Sequence, residues 1–108
     1  MSPEIWKGDL YSSKCDIYSL GCLIFELSTL KHPYEARSTH ELEKKVLRRK
    51  TPSISSYYSS ELNYIIKKCL IKNPEDRPSA VDLLNHTIII WKMAKYKFSF
   101  DVKVIKNT

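Results

Sequence analysis

Few side chains in this sequence stand at spacings that support chemistry. The three histidines, His32, His40 and His86, are scattered, and none has an acidic or cysteine partner at metal-ligand spacing. Turn, cap and helix-end roles account for them better than catalysis. The three cysteines, Cys15, Cys22 and Cys69, are odd in number and lie within apolar helical patterns. That fits reduced thiols in a cytoplasmic or nuclear protein rather than a disulfide framework. Asp16 is the charge whose position most needs explaining. It sits near the start of an apolar helical pattern, where a carboxylate is costly unless something holds it. Ser13-Lys14-Cys15-Asp16 allows a capping box, in which Asp16 would accept the Ser13 backbone N–H.

The helix that carries Asp16 organises the rest of the chain. Ile17, Leu20, Ile24 and Leu27 fall on one side of a 3.6-residue repeat, and Tyr18, Cys22, Leu23 and Phe25 cover much of the remainder. A helix this apolar must be buried on several sides. Its predicted span runs from Ser13 to about Thr29.

The other elements follow from caps and periodicity. Ser2-Pro3-Glu4-Ile5-Trp6 reads as a short helical turn with Ser2 capping and Pro3 in the first position. His32-Pro33-Tyr34 turns the chain. Ser38-Thr39-His40-Glu41 is a capping box opening a charged surface helix to about Arg49. A Ser-rich loop then leads to a helix capped by Ser59 or Ser60, in which Leu62, Ile65, Ile66, Cys69 and Leu70 hold the amphipathic spacing. Asn73-Pro74 ends it. Ser79-Ala80-Val81-Asp82 opens a last helix through Leu84 and on toward Trp91. From Tyr96, alternation of Phe98, Phe100, Val102 and Val104 with polar residues is a strand signal.

Composition sets outer bounds. With 108 residues, 43% hydrophobic and 28% charged, the chain is one globular domain or less. No apolar run reaches the length of a membrane span, and no secretory leader is visible. The net charge of +6 is concentrated in the tail: residues 92–108 carry five lysines against Asp101 alone, a balance of +4. A solvated basic tail explains this, and no basic–aromatic motif points to nucleic acid.

Four motifs stand in order: Ser2-Pro3-Glu4, Asp16-Ile17-Tyr18-Ser19-Leu20-Gly21, His32-Pro33-Tyr34 and Asn73-Pro74-Glu75-Asp76-Arg77-Pro78-Ser79. Together, over residues 1–91, they resemble the C-terminal part of the large lobe of a protein kinase domain, with 92–108 left as a basic tail. Met1-Ser2-Pro3-Glu4 and Tyr58-Ser59-Ser60-Glu61-Leu62 are most like the NIMA-related serine/threonine kinases. The resemblance implies a mainly α fold, a partial kinase lobe bundled around one buried central helix, with a strand-like C-terminal tail.

It also implies roles for particular residues. Glu4 and Arg77 would form a buried ion pair; a local reading would instead make Glu4 a helix-dipole partner and Arg77 a surface residue. Asp16, in the same motif as Gly21, would accept backbone N–H groups of a catalytic loop, beside its local reading as a cap. Tyr18 stands where tryptophan is commonest, and Thr87 follows His86 where proline is frequent. Pro33 and Tyr34, with the helix after them, would by analogy offer a substrate or partner surface.

Phosphoryl transfer requires a phosphate cradle, held magnesium and an oriented hydroxyl. Gly8 and Gly21 are the only glycines, and neither His-Arg-Asp nor Asp-Phe-Gly occurs. No catalytic, cofactor-binding or metal-binding residue is therefore assigned; ATP and magnesium are implied only for a complete family member. The expectation is a serine/threonine kinase fragment, inactive alone, from a truncated gene or gene model. The alternative is a non-catalytic helical interaction module, a pseudokinase remnant. Expected partners are protein substrates, other proteins or the rest of the kinase; neither membrane nor nucleic acid is expected. Without that remainder, the central helix should expose an apolar strip.

Overall fold

A computed structural model describes residues 1–55 and 57–95. Six helices follow one another: α1 Pro3–Trp6, α2 Ser13–Thr29, α3 Thr39–Arg48, α4 Ser60–Cys69, α5 Ala80–Leu84 and α6 Thr87–Lys95. Among the described residues there is no strand, and the fold is mainly α. The alternating segment from Tyr96 to Val104 lies outside the described residues.

Serine caps set most of the helix starts. Ser59 accepts the Leu62 N–H at 3.1 Å, which places the cap of α4 at Ser59 rather than Ser60. Ser79 and Asp82 form a reciprocal capping box, with bonds of 3.1 and 3.0 Å. At α3 only half of the expected box is present. Ser38 accepts the Glu41 N–H at 3.2 Å, whereas the Glu41 carboxylate turns outward to the Arg37 N–H and to Lys45.

Three expectations about boundaries are corrected. The cap of α2 is Ser12, whose hydroxyl accepts the Lys14 N–H at 3.2 Å, so Ser13 is already helical and cannot box with Asp16. Ser2 occupies the cap position of α1, but its hydroxyl is buried without a hydrogen bond among the described residues. The last helix is two. α5 stops at Leu84, and the chain restarts at Thr87, where the His86 ring nitrogen accepts the Ile88 N–H at 3.2 Å.

The core has two parts divided by α2. Tyr18 and Phe25 pack with Tyr34, Val46, Ile54, Ile66 and Leu70 on one side, joined at the edge by Trp6 and Leu62. Ile17 packs with Ile65 and Cys69 on another, against Leu83 and Ile89. The helix pair α2–α4 is the main contact of the fold. Gly21 permits it: a Cβ there would lie 2.7 Å from the Cys69 Cβ. Among the described residues nothing covers the third side of α2. Leu20, Leu23 and Leu27, spaced to share one face, are exposed, Leu27 to 71%. The helix closes on Leu30, exposed and left-handed at φ 61°.

Candidate functional site

Arg77 is the best-coordinated side chain among the described residues. It is 1% exposed, and Glu4 beside it is 4% exposed. Nη1 donates to Glu4 Oε2 at 2.8 Å and Nη2 to Glu4 Oε1 at 2.9 Å, a bidentate pair. The remaining donors reach backbone carbonyls: Lys14 at 2.6 Å, Lys72 at 3.2 Å and, through Nε, Ile71 at 2.8 Å. All five N–H groups of the guanidinium are thereby satisfied. The Tyr18 ring stacks beneath it, 5.0 Å from ring centre to Cζ.

Local sequence explains this convergence. Pro3 fixes the first turn of α1 and turns Glu4 inward. The Asn73 carbonyl accepts the Arg77 N–H at 3.2 Å, which folds the α4–α5 connection back so that Ile71 and Lys72 face the guanidinium. The Cys15 thiol adds a donor to Glu4 Oε2 at 3.3 Å. Burial pushes the Glu4 carboxyl up, but the Arg77 hydrogen bonds, its own backbone and Cys15 outweigh this and hold it at about 2. The pair is therefore ionised, buried and complete, a structural clamp between α1 and the α4–α5 connection.

The other residues named from sequence are dispersed. Gly21 lies in the α2–α4 contact. Asp16 lies on the first turn of α2 with its carboxylate exposed and without a hydrogen bond among the described residues. Pro33 and Tyr34 face inward, Tyr34 being 5% exposed, so any surface at this turn belongs to their neighbours. His32 has the expected turn role, its Nδ1 lying 3.1 Å from the Tyr34 nitrogen.

Lys72 is the residue that sequence reading missed. Its carbonyl receives Arg77, while its ammonium donates to the Tyr34 hydroxyl at 3.1 Å and to the Val46 carbonyl, over the Tyr34 ring. It couples the ion-pair clamp to the 32–34 turn and to α3. No motif carries this role; only its place after the amphipathic run of α4 hinted at a link. A cleft of about 480 Å³ lies alongside, lined by Glu4, Lys7, Asp9, Lys72 and residues 73–75.

Gly8 serves a turn at φ 83° and Gly21 is locked in a helix crossing, which leaves no glycine-rich phosphate cradle. Among the described residues no group of three His, Cys, Asp or Glu gathers to hold a metal, and no helix is long and apolar enough to cross a membrane.

Comparison with known proteins gives a consistent result. Residues 1–89 match the family described as the protein kinase domain. Serine/threonine-protein kinase Nek5 of Mus musculus is 39% identical over 89 residues, covering 82% of this chain and 14% of the relative. G2-specific protein kinase nim-1 of Neurospora crassa is 43% identical over 89 residues, covering 82% of this chain and 10% of the relative. G2-specific protein kinase nimA of Emericella nidulans is 37% identical over 89 residues, covering 82% and 13%. The chain thus spans less than a sixth of the length of each of these relatives.

Proposed function

The chain belongs to the protein kinase family, with NIMA-related serine/threonine kinases among its relatives, and we propose that it is the C-terminal scaffold of a kinase large lobe. In this reading it supplies rigidity and a docking face, and the groups that bind ATP and magnesium lie elsewhere in a complete enzyme. The observation that carries the reading is the Leu20–Leu23–Leu27 face of the central helix, which no described residue covers and which is flanked by exposed Ser19 and Glu26. A contiguous apolar face of this kind marks an interface. The partner it suits is the remainder of the kinase lobe. Asp16, exposed at the head of the same helix, is available to the backbone N–H groups of a catalytic loop and would steady it as a positioning residue. Unbridged Cys15, Cys22 and Cys69 support a cytoplasmic or nuclear location.

Two measurements test the proposal. Purified residues 1–108 should neither bind ATP in calorimetric titration with magnesium nor phosphorylate casein; metal-dependent phosphorylation by contaminant-free protein overturns the scaffold reading. The same protein should bind the dye ANS, and Leu23→Gln with Leu27→Gln should reduce that binding. A monomer with a sharp thermal transition and no ANS binding removes the docking face. The same leucine face also suits the second reading, a non-catalytic helical interaction module. In-frame His-Arg-Asp and Asp-Phe-Gly motifs upstream in the gene favour the kinase lobe; stop codons with an independent promoter favour the module.

A further inference from the structure

The charge on α3 changes sign along its length. Glu41 and Glu43 occupy the first half, while Lys44, Lys45 and Arg48 occupy the second, continued by Arg49 and Lys50. Lys45 is accounted for by Glu41 at 3.3 Å and by the Glu35 carbonyl. Lys44, Arg48, Arg49 and Lys50 are exposed, and among the described residues no carboxylate pairs with any of them. Lys44 and Arg48 are one turn apart, a like-charge spacing that works against the helix. Cations near a helix C-terminus are favourable, but that effect is confined to the last turn and does not call for four unpaired charges.

The backbone beneath this patch is anchored. The Val46 carbonyl receives Lys72, and the Arg49 carbonyl lies 3.4 Å from the Tyr34 hydroxyl that donates to it. Beside it is a small cleft of about 220 Å³, floored by buried Pro33 and Tyr34 and rimmed by Lys45, Arg49 and Lys50, with Glu35 the one carboxylate on its lining. Exposed guanidinium groups on a fixed backbone suit bidentate contact with carboxylates.

We propose that the C-terminal end of α3 docks a Glu/Asp-rich peptide segment of a protein partner, with Arg48, Arg49 and Lys50 as the principal contacts. Charge complementarity selects this occupant. A nucleic-acid backbone continuing along the helix would meet Glu41 and Glu43, and a membrane surface would require exposed large apolar side chains, of which α3 has none. The inference rests on the charge distribution of α3 and is independent of the kinase-scaffold reading.

The test uses the full 108-residue chain and a short fluorescein-labelled Glu/Asp peptide, followed by fluorescence anisotropy. Binding should be saturable at low salt and weaken as salt rises. Arg49→Glu with Lys50→Glu should weaken it about tenfold, since lost pairs and new repulsion act together. Arg49→Gln with Lys50→Gln, which adds no acid, should weaken it about threefold with unchanged helical circular dichroism. The charge-matched tail variant Lys103→Glu with Lys106→Glu should bind as the parent does. Absence of binding at low salt, equal weakening by the tail variant, or stronger binding to a single-stranded oligonucleotide or to phosphatidylserine vesicles each overturns the proposal.

Discussion

Glu4 and Arg77 are joined by two parallel hydrogen bonds of 2.8 and 2.9 Å across a separation of 73 residues. The contact is dry, ionised and enclosed by three further carbonyls, so neither charge has an alternative partner in water. Removing one leaves the other stranded, and that asymmetry governs how the fold responds to substitution.

Glu4→Gln keeps the shape of the side chain but cannot neutralise the guanidinium. It should cost about 3–5 kcal/mol, read as a lowered urea midpoint with an unchanged slope. Against a total of about 5–15 kcal/mol for a domain, such a loss leaves much of the protein unfolded. A change below about 1 kcal/mol would show the pair to be dispensable.

The same pair sets acid sensitivity. The Glu4 carboxyl is held at about 2, below the 4.5 of an ordinary glutamate, so its folded form binds a proton less readily than its unfolded form. Its contribution is therefore complete above about 4.5 and is lost as pH falls from there through about 2. Melting temperatures recorded across this window should fall steeply in the parent and less in Glu4→Gln. Parallel curves for the two proteins would assign acid sensitivity to other groups.

Gly21→Ala should destabilise, although alanine is the better helix former by about 1 kcal/mol. The added methyl would lie 2.7 Å from the Cys69 Cβ and 3.0 Å from a Leu70 methyl, and both neighbours are wholly buried. Forcing the helices apart should cost about 1–3 kcal/mol net of that propensity, measured by urea titration. A stabilised variant would mean that the α2–α4 crossing relaxes freely.

Leu30→Gly should stabilise. Leu30 holds φ at 61° and is 90% exposed, so it bears left-handed strain without packing in return. Relieving it should gain about 1 kcal/mol, a rise of about 4–8 °C in melting temperature by calorimetry. A fall would show that the side chain makes a contact in solution.

Much of this architecture is legible in the sequence, and the limits are physical. The amphipathic run from Leu62 to Leu70 and the cap at Ser79 are local, and local spacing specifies them. The Ser12-Ser13 pair defeats that logic, because either hydroxyl can cap and only tertiary placement of Cys15 against Glu4 selects the first. Periodicity shows that α2 is apolar on many sides but not which side lacks cover, and it carries one helix through Asn85 and His86, where no proline marks the break. The Glu4–Arg77 pair comes from motif order alone, since no spacing rule links positions so far apart. Lys72 acts through three partners that converge only when α3, α4 and the 32–34 turn are assembled, so no local pattern announces it.

The Ile71 and Lys72 carbonyls are local to Arg77, but Glu4 and the Lys14 carbonyl reach it only when segments 73 and 63 residues away are brought in. Closing so long a loop is an entropic step that shorter-range helix pairings precede. The guanidinium therefore stays hydrated until late in folding, and the pair works as a latch on the way out. Its loss should quicken unfolding far more than it slows folding, making Glu4 and Arg77 determinants of how long the native state lasts.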